Sequence, residues 1–194
     1  MFIQTEETPN PNTIKFLPGQ AVLGGNKTAH LTKSDNLKVS PIAEKLFDIK
    51  GIEAVFLGAD FISVTKTDAK DWFVLKPQVL STILDGLTMG VGFWDENEAQ
   101  KAQGDNNQSS EENSSEDDDE IVTQIKELLE TRVRPAVAQD GGDIVFHDFK
   151  EGVVYLEMRG ACSGCPSSTA TLKVGIENML KYYVPEVEEV RPVI

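Results

Sequence analysis

The sequence predicts a mixed α/β protein of the α+β kind, built as two small domains joined by an acidic flexible linker. Three observations support this prediction. A chain of 194 residues is long enough for two modest cores, strand-like and helix-like apolar patterns alternate in both halves, and one segment between them contains most of the net negative charge. The expected domains span residues 1–92 and 119–194, with the linker at 93–118.

The net charge of −14 is concentrated in the linker region. Residues 95–120 contain one lysine against eleven Asp and Glu, whereas residues 1–94 contain nine basic and ten acidic residues. The acidic stretch has too few large apolar side chains to form a core, and its like charges repel one another. We expect a solvated spacer; an acidic docking tail for a basic partner is the alternative. No basic patch occurs, which argues against nucleic-acid binding.

The sequence also indicates where such a protein would be found. No apolar run approaches the roughly 20 residues of a membrane span, so we expect no membrane segment. The N-terminal residues resemble neither a secretory signal nor a transit peptide, which favours a protein that stays where it is made. Two cysteines are too few for a disulfide framework and fit a reducing interior.

The first half shows the pattern of a small α/β domain without a reactive set of side chains. The predicted elements are a strand at Thr13–Leu17, a helix after Ser40, a hairpin of Ile52–Leu57 with residues 61–65, and a helix that starts at Pro77. The buried side of that last helix is expected to contain Val79, Leu80, Ile83, Leu84 and Leu87. His30 is expected in an exposed loop, and Trp72, Phe73 and Trp94 in the core. Partner docking is the role that remains for this half.

The second half predicts the order helix, strand, strand, helix, strand. The first helix begins near Ile121 and its main body ends before Pro135. A hairpin follows, with strands at residues 144–146 and 153–156. The next helix has an apolar face of Leu172, Ile176, Met179 and Leu180, and an edge strand is expected at residues 187–190.

Cys162 and Cys165 occupy the loop between the second strand and the following helix. The free N–H groups and the dipole at a helix start favour negative charge, so we expect the thiolate form to be stabilised. Gly160 and Gly164 allow the backbone to bend closely around a bound group. The loop is therefore the candidate reactive site.

The number of cysteines constrains what this loop binds. A tetrahedral thiolate site, whether zinc or an iron–sulfur cluster, usually takes four protein ligands, and this chain has two cysteines. Two chains would supply four. His147 is interpreted as an ordinary sheet histidine rather than a third ligand.

Two other uses of the motif stay open at this point. Thioredoxin-like proteins also place Cys-x-x-Cys between a strand and a helix, although there the motif follows an early strand of a larger sheet. A dithiol oxidoreductase and a zinc-bridged interaction module are therefore the alternatives to a cluster-binding protein.

Two groups of motifs resemble a known family. Asp-Gly-Gly-Asp at 140–143 and Gly-Ala-Cys-Ser-Gly-Cys-Pro-Ser-Ser at 160–168 closely resemble the NifU C-terminal (Nfu) domain. The segments 8–19, 40–43, 55–58 and 72–77 are similar to the Nfu N-terminal domain, which precedes it in mitochondrial and many bacterial members.

The resemblance implies a function that the spacing alone does not. Cys162 and Cys165 would bind a [4Fe-4S] cluster shared between two protomers, so that the loaded form is a homodimer. The protein would be a carrier or scaffold rather than an enzyme, receiving clusters from upstream assembly proteins and delivering them to apo iron–sulfur proteins. Its expected location is the bacterial cytoplasm, or the mitochondrial matrix if it is a processed eukaryotic form.

Overall fold

The computed structural model describes residues 2–25, 27–103, 116–163 and 166–193. The chain divides into two compact units, Met1–Ser109 and Ser110–Ile194, and both mix helices with strands. This confirms the predicted fold class. The division falls among residues 104–115, which belong to the predicted acidic linker and lie outside the described residues. The domain limits 1–92, 93–118 and 119–194 stay predictions.

The first unit is a five-stranded sheet with three helices. Its strands are β1 (Gln4–Glu7), β2 (Thr13–Leu17), β3 (Ala29–Thr32), β4 (Ile52–Leu57) and β5 (Ile62–Lys66). Its helices are α1 (Pro41–Phe47), α2 (Trp72–Thr88) and α3 (Glu96–Gln103), with a 3-10 turn at Leu37–Val39. The sheet is antiparallel throughout, in the order β1-β2-β5-β4-β3. Its fully buried side chains include Phe16, Leu46, Val55, Val79 and Ile83.

The strand β2, the helix α1 and the hairpin of β4 and β5 confirm the predicted elements. Two short edge strands were not predicted. β1 has a polar sequence and β3 is only four residues long, so neither shows the apolar alternation of a half-buried strand. His30 lies in β3 opposite Phe56, half-buried, and the expectation of an exposed loop histidine is wrong.

The second predicted helix is confirmed, but its start is wrong. α2 begins at Trp72, because Asp71 caps it by accepting a hydrogen bond from the Phe73 N–H at 2.7 Å. Pro77 therefore lies inside the helix, where it lacks one N–H donor. Leu84 is 39% exposed and does not belong to the buried side.

The aromatic residues around α2 do not all face the core. Trp72 and Trp94 pack against the core as expected. Phe73 is 89% exposed, so the expectation that it is a core residue is wrong. The start of α2 presents an apolar ring to solvent.

The helix α3 lies in the stretch predicted to be a solvated linker. The Asp95 N–H donates to the Val39 carbonyl at 2.8 Å, and Asp95 Oδ1 accepts from the Asn97 N–H at 2.9 Å. Phe93, just before, is 8% exposed. The expectation that this stretch does not fold is therefore wrong for Glu96–Gln103. Composition did not predict this helix. Its start is capped by Asp95, and the backbone hydrogen bond from Asp95 to Val39 attaches it to the rest of the first unit.

The second unit has the predicted order of elements. Its helices are α4 (Glu116–Leu128), α5 (Arg134–Gln139) and α6 (Pro166–Tyr183), with a π-helical turn at Leu129–Val133. Its strands are β6 (Gly142–Lys150), β7 (Val153–Gly160) and β8 (Glu189–Val193), in the order β6-β7-β8. β6 and β7 form the predicted antiparallel hairpin, and β8 is the predicted edge strand.

The first helix of this unit does not end before Pro135. α4, the π-helical turn and α5 follow one another without a break, so Pro135 lies in the first turn of α5. The Arg134 N–H donates to the Leu129 carbonyl, five residues earlier. A wider turn of this kind accommodates a residue that cannot continue the regular hydrogen-bond pattern. The helical run consequently reaches Gln139, beside the first strand.

The direction of β8 determines where the cysteine loop lies. β8 pairs parallel to β7, and α6 forms the crossover between them. The loop from β7 to α6 is therefore at the carboxyl end of a strand, the usual position of binding groups in such crossovers. No helix in the described residues is both long and apolar enough to cross a membrane.

One prediction concerns the attachment of α1 to the end of the first unit. Ser40 is fully buried; its Oγ accepts from the Ala43 N–H at 3.2 Å and donates to the Phe93 carbonyl at 2.7 Å. We expect Ser40→Ala to lower the free energy of unfolding by about 1–3 kcal/mol, because it removes the cap and leaves a carbonyl without its donor.

Both tryptophans lie in the first unit, so urea unfolding followed by tryptophan fluorescence measures this unit. Ser81→Ala, on the exposed side of α2, is the control and should change the value by less than about 0.5 kcal/mol. Equal stability of the two variants would contradict the role of Ser40.

Candidate functional site: the cysteine turn

Cys162 lies in the turn directly after β7 and is 5% exposed. Its side chain belongs to the core of the second unit. Cys165 and Gly164, the other predicted residues of this loop, lie outside the described residues. The described part of the candidate site is therefore the turn at residues 160–163, called the cysteine turn below, and the residues that contact it.

Two backbone hydrogen bonds shape and place the cysteine turn. The Ser163 N–H donates to the Gly160 carbonyl at 3.0 Å and closes the turn. The Ala161 N–H donates to the Gly141 carbonyl at 3.1 Å, which joins it to the turn that precedes β6. Gly160 has a φ of 63°, in the left-handed region that a side chain disfavours. The turn therefore uses the conformational freedom of glycine at position 160, and the bending of this loop around a bound group stays a prediction.

Gly142 is in direct contact with Cys162. A Cβ added at Gly142 would overlap Cys162 Sγ, and it would lie 2.9 Å from the Arg159 carbonyl oxygen and 3.0 Å from the Cys162 nitrogen. These distances are too short for a side-chain carbon. The missing side chain at position 142 is what allows the cysteine to lie where it does.

A buried ion pair supports the same turn. Asp143 is 2% exposed, and Arg134 Nε and Nη2 donate to its two carboxylate oxygens at 2.7 and 2.8 Å. Asp143 Oδ1 also accepts from the Ile144 N–H. Asp143 raises the pKa of Arg134, so the guanidinium stays charged. This ion pair connects the start of α5 to the start of β6, beside Cys162.

The environment of Cys162 favours the neutral thiol. Burial raises the pKa of Cys162 to about 12, with smaller contributions from the carboxylates of Asp140 and Asp143. In this form of the protein, the expectation that the loop stabilises the thiolate is wrong for Cys162. The helix start was expected to decide the charge state, but desolvation and two nearby acids have the larger effect.

His147 does not belong to the site. It lies on β6 at an irregularity of the strand pairing and is exposed. Five residues of strand separate it from Gly142, a distance of about 16 Å. Among the described residues, no group of three or more His, Cys, Asp and Glu side chains could bind a metal ion. The interpretation of His147 as a sheet residue agrees with this position.

The structure adds four residues whose roles at the site were not predicted: Arg134, Asp140, Gly142 and Asp143. The sequence contains a signal for three of them, since Asp-Gly-Gly-Asp is an unusual run for an ordinary turn. Arg134 belongs to no motif of the sequence. It directly follows the π-helical turn, which sequence patterns do not reveal.

The contact between Gly142 and Cys162 leads to a prediction with a matched control. Gly142→Ala should lower the free energy of unfolding of the second unit by about 1–3 kcal/mol, because the new carbon overlaps the sulfur and approaches two backbone atoms. Gly175→Ala, in α6, has open space at its Cβ and should raise stability by about 0.5–1 kcal/mol. Urea unfolding followed by far-UV circular dichroism measures both changes. A neutral Gly142→Ala would contradict the packing argument.

A second prediction concerns pH. In Cys165→Ser the only cysteine is Cys162, whose folded-state pKa of about 12 lies above the value of about 8.5 expected in the unfolded chain. A raised folded pKa stabilises the fold at low pH, so this contribution is complete below about pH 8.5 and is lost as the pH rises towards 12.

The measurement compares Cys165→Ser with the double variant that also has Cys162→Ala. Their difference in free energy of unfolding should decrease above about pH 9 in urea unfolding at a series of pH values. Subtracting the two removes the titration of lysines and tyrosines. A difference independent of pH would show that Cys162 ionises normally.

Comparison with known proteins gives two family matches. The model of the NifU-like domain matches residues 125–191, which include both cysteines. The model described as the N terminal of the scaffold protein Nfu/NifU matches residues 3–90. The two matches therefore cover the main part of each compact unit.

Relatives match over the whole chain. Proteins named "NFU1 iron-sulfur cluster scaffold homolog, mitochondrial" from Drosophila ananassae and Drosophila willistoni are 46% and 48% identical over 193 residues, which is 100% of this chain and 64% of each relative. The chain thus spans about two thirds of their length. A solution NMR structure of a NifU-like protein from Saccharomyces cerevisiae is 27% identical, with a TM-score of 0.45, and covers 49% of this chain and 85% of that one. The two family matches and the Drosophila relatives show that the chain belongs to the Nfu family, with an Nfu N-terminal domain ahead of a NifU-like domain.

Proposed function

We propose that the protein is an iron–sulfur cluster scaffold and carrier, which binds a [4Fe-4S] cluster between two copies and delivers it to apo-proteins. Two observations together support this most directly: the family to which the chain belongs and the presence of two cysteines in its sequence. The relatives are named as cluster scaffolds, and the NifU-like domain of this chain contains both of its cysteines. A cluster that takes four thiolates then requires Cys162 and Cys165 from each of two chains.

The structure around Cys162 fits a group that is bound and then released. Its sulfur lies on a short turn at the carboxyl end of a strand, against Gly142, which has no side chain to obstruct it. Because Cys162 is 5% exposed, sharing a cluster with a second copy requires the cysteine turn to bring the sulfur to the surface. The glycine at position 160 is the place in the described turn where the backbone rotates most easily.

Transfer is an exchange of ligands, with the cluster as cargo. Each exchange breaks one bond from iron to a cysteine sulfur of this chain and forms one to a thiolate of the acceptor. The proton lost by the acceptor thiol ends on the released cysteine, so no oxidant or reductant is needed. Such a protein changes no covalent bond of a substrate molecule, which is why we propose a carrier and not an enzyme.

The proposal also names the classes of partner, and the relatives indicate the location. The donors are proteins that assemble clusters, and the acceptors are apo iron–sulfur proteins with free thiolates. The relatives are named mitochondrial, which supports a mitochondrial location over the bacterial cytoplasm.

Anaerobic reconstitution with iron and sulfide tests the proposal. The wild-type chain should give a brown species, measured by visible absorbance and by iron content, and both Cys162→Ser and Cys165→Ser should lose it. Ser81→Ala, on the exposed side of α2 in the first unit, removes a hydroxyl but no thiol and should keep it. Analytical ultracentrifugation should find the coloured species at the mass of a dimer.

Several outcomes would reject the proposal. A monomer with a full cluster would contradict sharing between two chains. A colourless protein that retains zinc would favour an interaction module, and reduction of insulin disulfides would favour a dithiol oxidoreductase.

A further inference from the structure

We propose that the carboxylate of Asp140 weakens the binding of the cluster and so favours its transfer to an acceptor. This inference deepens the proposed function and rests on it. It assigns a role to a residue that is not a ligand, through its charge and its position beside the cysteine turn.

The position of Asp140 follows from the two turns that meet at the site. Asp140 ends α5, and Gly141 after it has a φ of 80° and accepts the hydrogen bond from the Ala161 N–H at 3.1 Å. The next residue, Gly142, contacts Cys162 Sγ. Asp140 therefore directly precedes Gly141, whose carbonyl is bonded to the cysteine turn. It lies two positions before Gly142, which contacts the sulfur of Cys162.

Among the described residues, Asp140 lacks an ion pair like the one that offsets the charge of Asp143. Both carboxylates act on Cys162. Asp143 forms a bidentate ion pair with Arg134, and the guanidinium compensates the charge of the carboxylate. Asp140 is exposed, and in the part of the chain that the structure describes, its carboxylate forms no hydrogen bond or ion pair. The carboxyl end of α5 adds partial negative charge at the same place.

A negative charge at this place opposes cluster binding for an electrostatic reason. An iron–sulfur cluster held by four thiolates is an anion, so a nearby carboxylate raises the free energy of the loaded state. Two copies that share one cluster place two Asp140 carboxylates near it. A carrier has to release its cargo, and such repulsion lowers the cost of release without removing a ligand.

The test compares variants that change net charge equally. Asp140→Asn removes the charge beside the cysteine turn. Glu186→Gln removes one at the other end of β7, since the Glu186 carbonyl lies beside Gly152, about 25 Å of strand from Gly160. Asp140→Glu keeps the charge. All three and the wild type are reconstituted, and cluster loss to excess EDTA is followed by visible absorbance at several concentrations of KCl.

We expect Asp140→Asn to lose its cluster about threefold more slowly than the wild type. Glu186→Gln and Asp140→Glu should behave as the wild type does. Added KCl screens an exposed charge, so it should slow the loss from the wild type and have less effect on Asp140→Asn. This salt dependence is a readout that a purely structural role of Asp140 would not change.

The outcomes separate this inference from the function on which it rests. A wild-type chain that takes up no cluster would reject the proposed function and this inference with it. Loaded proteins with equal rates of loss, or a faster loss from Asp140→Asn, would reject the inference alone. Slower loss without a change in salt dependence would also reject it, because the effect would then not be electrostatic.

Discussion

The contact between Cys162 Sγ and Gly142 is the constraint on which the rest of the site depends. It requires a residue without a side chain at position 142, and it requires the turn before β6 to lie against the turn after β7. Both turns are at the same end of the β6–β7 hairpin, since Gly142 and Gly160 are paired residues. The ion pair of Arg134 with Asp143 fastens the helix α5 to that end. One hairpin thus places a cysteine, a glycine and two acids together.

This arrangement has an electrostatic consequence for a cluster carrier. A site that only had to bind metal tightly would favour thiolates, with positive charge or unpaired N–H groups near the sulfur. Here burial and two acids favour the neutral thiol at Cys162. A thiol has to lose its proton before it binds a metal, so this environment raises the free energy of metal binding at Cys162. That property suits a protein that we propose receives a cluster and passes it on.

The first unit has a different character. Its core contains side chains of the sheet and of α1 and α2, and the buried Ser40 caps α1. The relatives match this unit as well as the second one, since the similarity covers the whole chain. The exposed ring of Phe73 is the clearest departure from the expected burial. The fold and the family match are what characterise this unit.

The amino-acid sequence by itself determined the two units, the main strands and helices, and the place of the cysteine pair between β7 and α6. These features depend on local patterns: the alternation of apolar residues in β4 and β5, the proline and serine at the start of α1, and the spacing of Cys162 and Cys165. Edge strands and the folding of Glu96–Gln103 were not predicted, because they depend on hydrogen bonds to other elements. The start of α2 was placed at Pro77, whereas the local cap by Asp71 starts the helix at Trp72.

Only the tertiary structure decided the charge state and the neighbours of Cys162. The sequence places the cysteine near a helix start, which favours a thiolate, whereas folding buries it beside Asp140 and Asp143, which favours the thiol. These residues are about twenty positions apart in the chain, and the hairpin brings them together. Electrostatic interactions depend on distance and on burial, and neither can be calculated before the chain is folded.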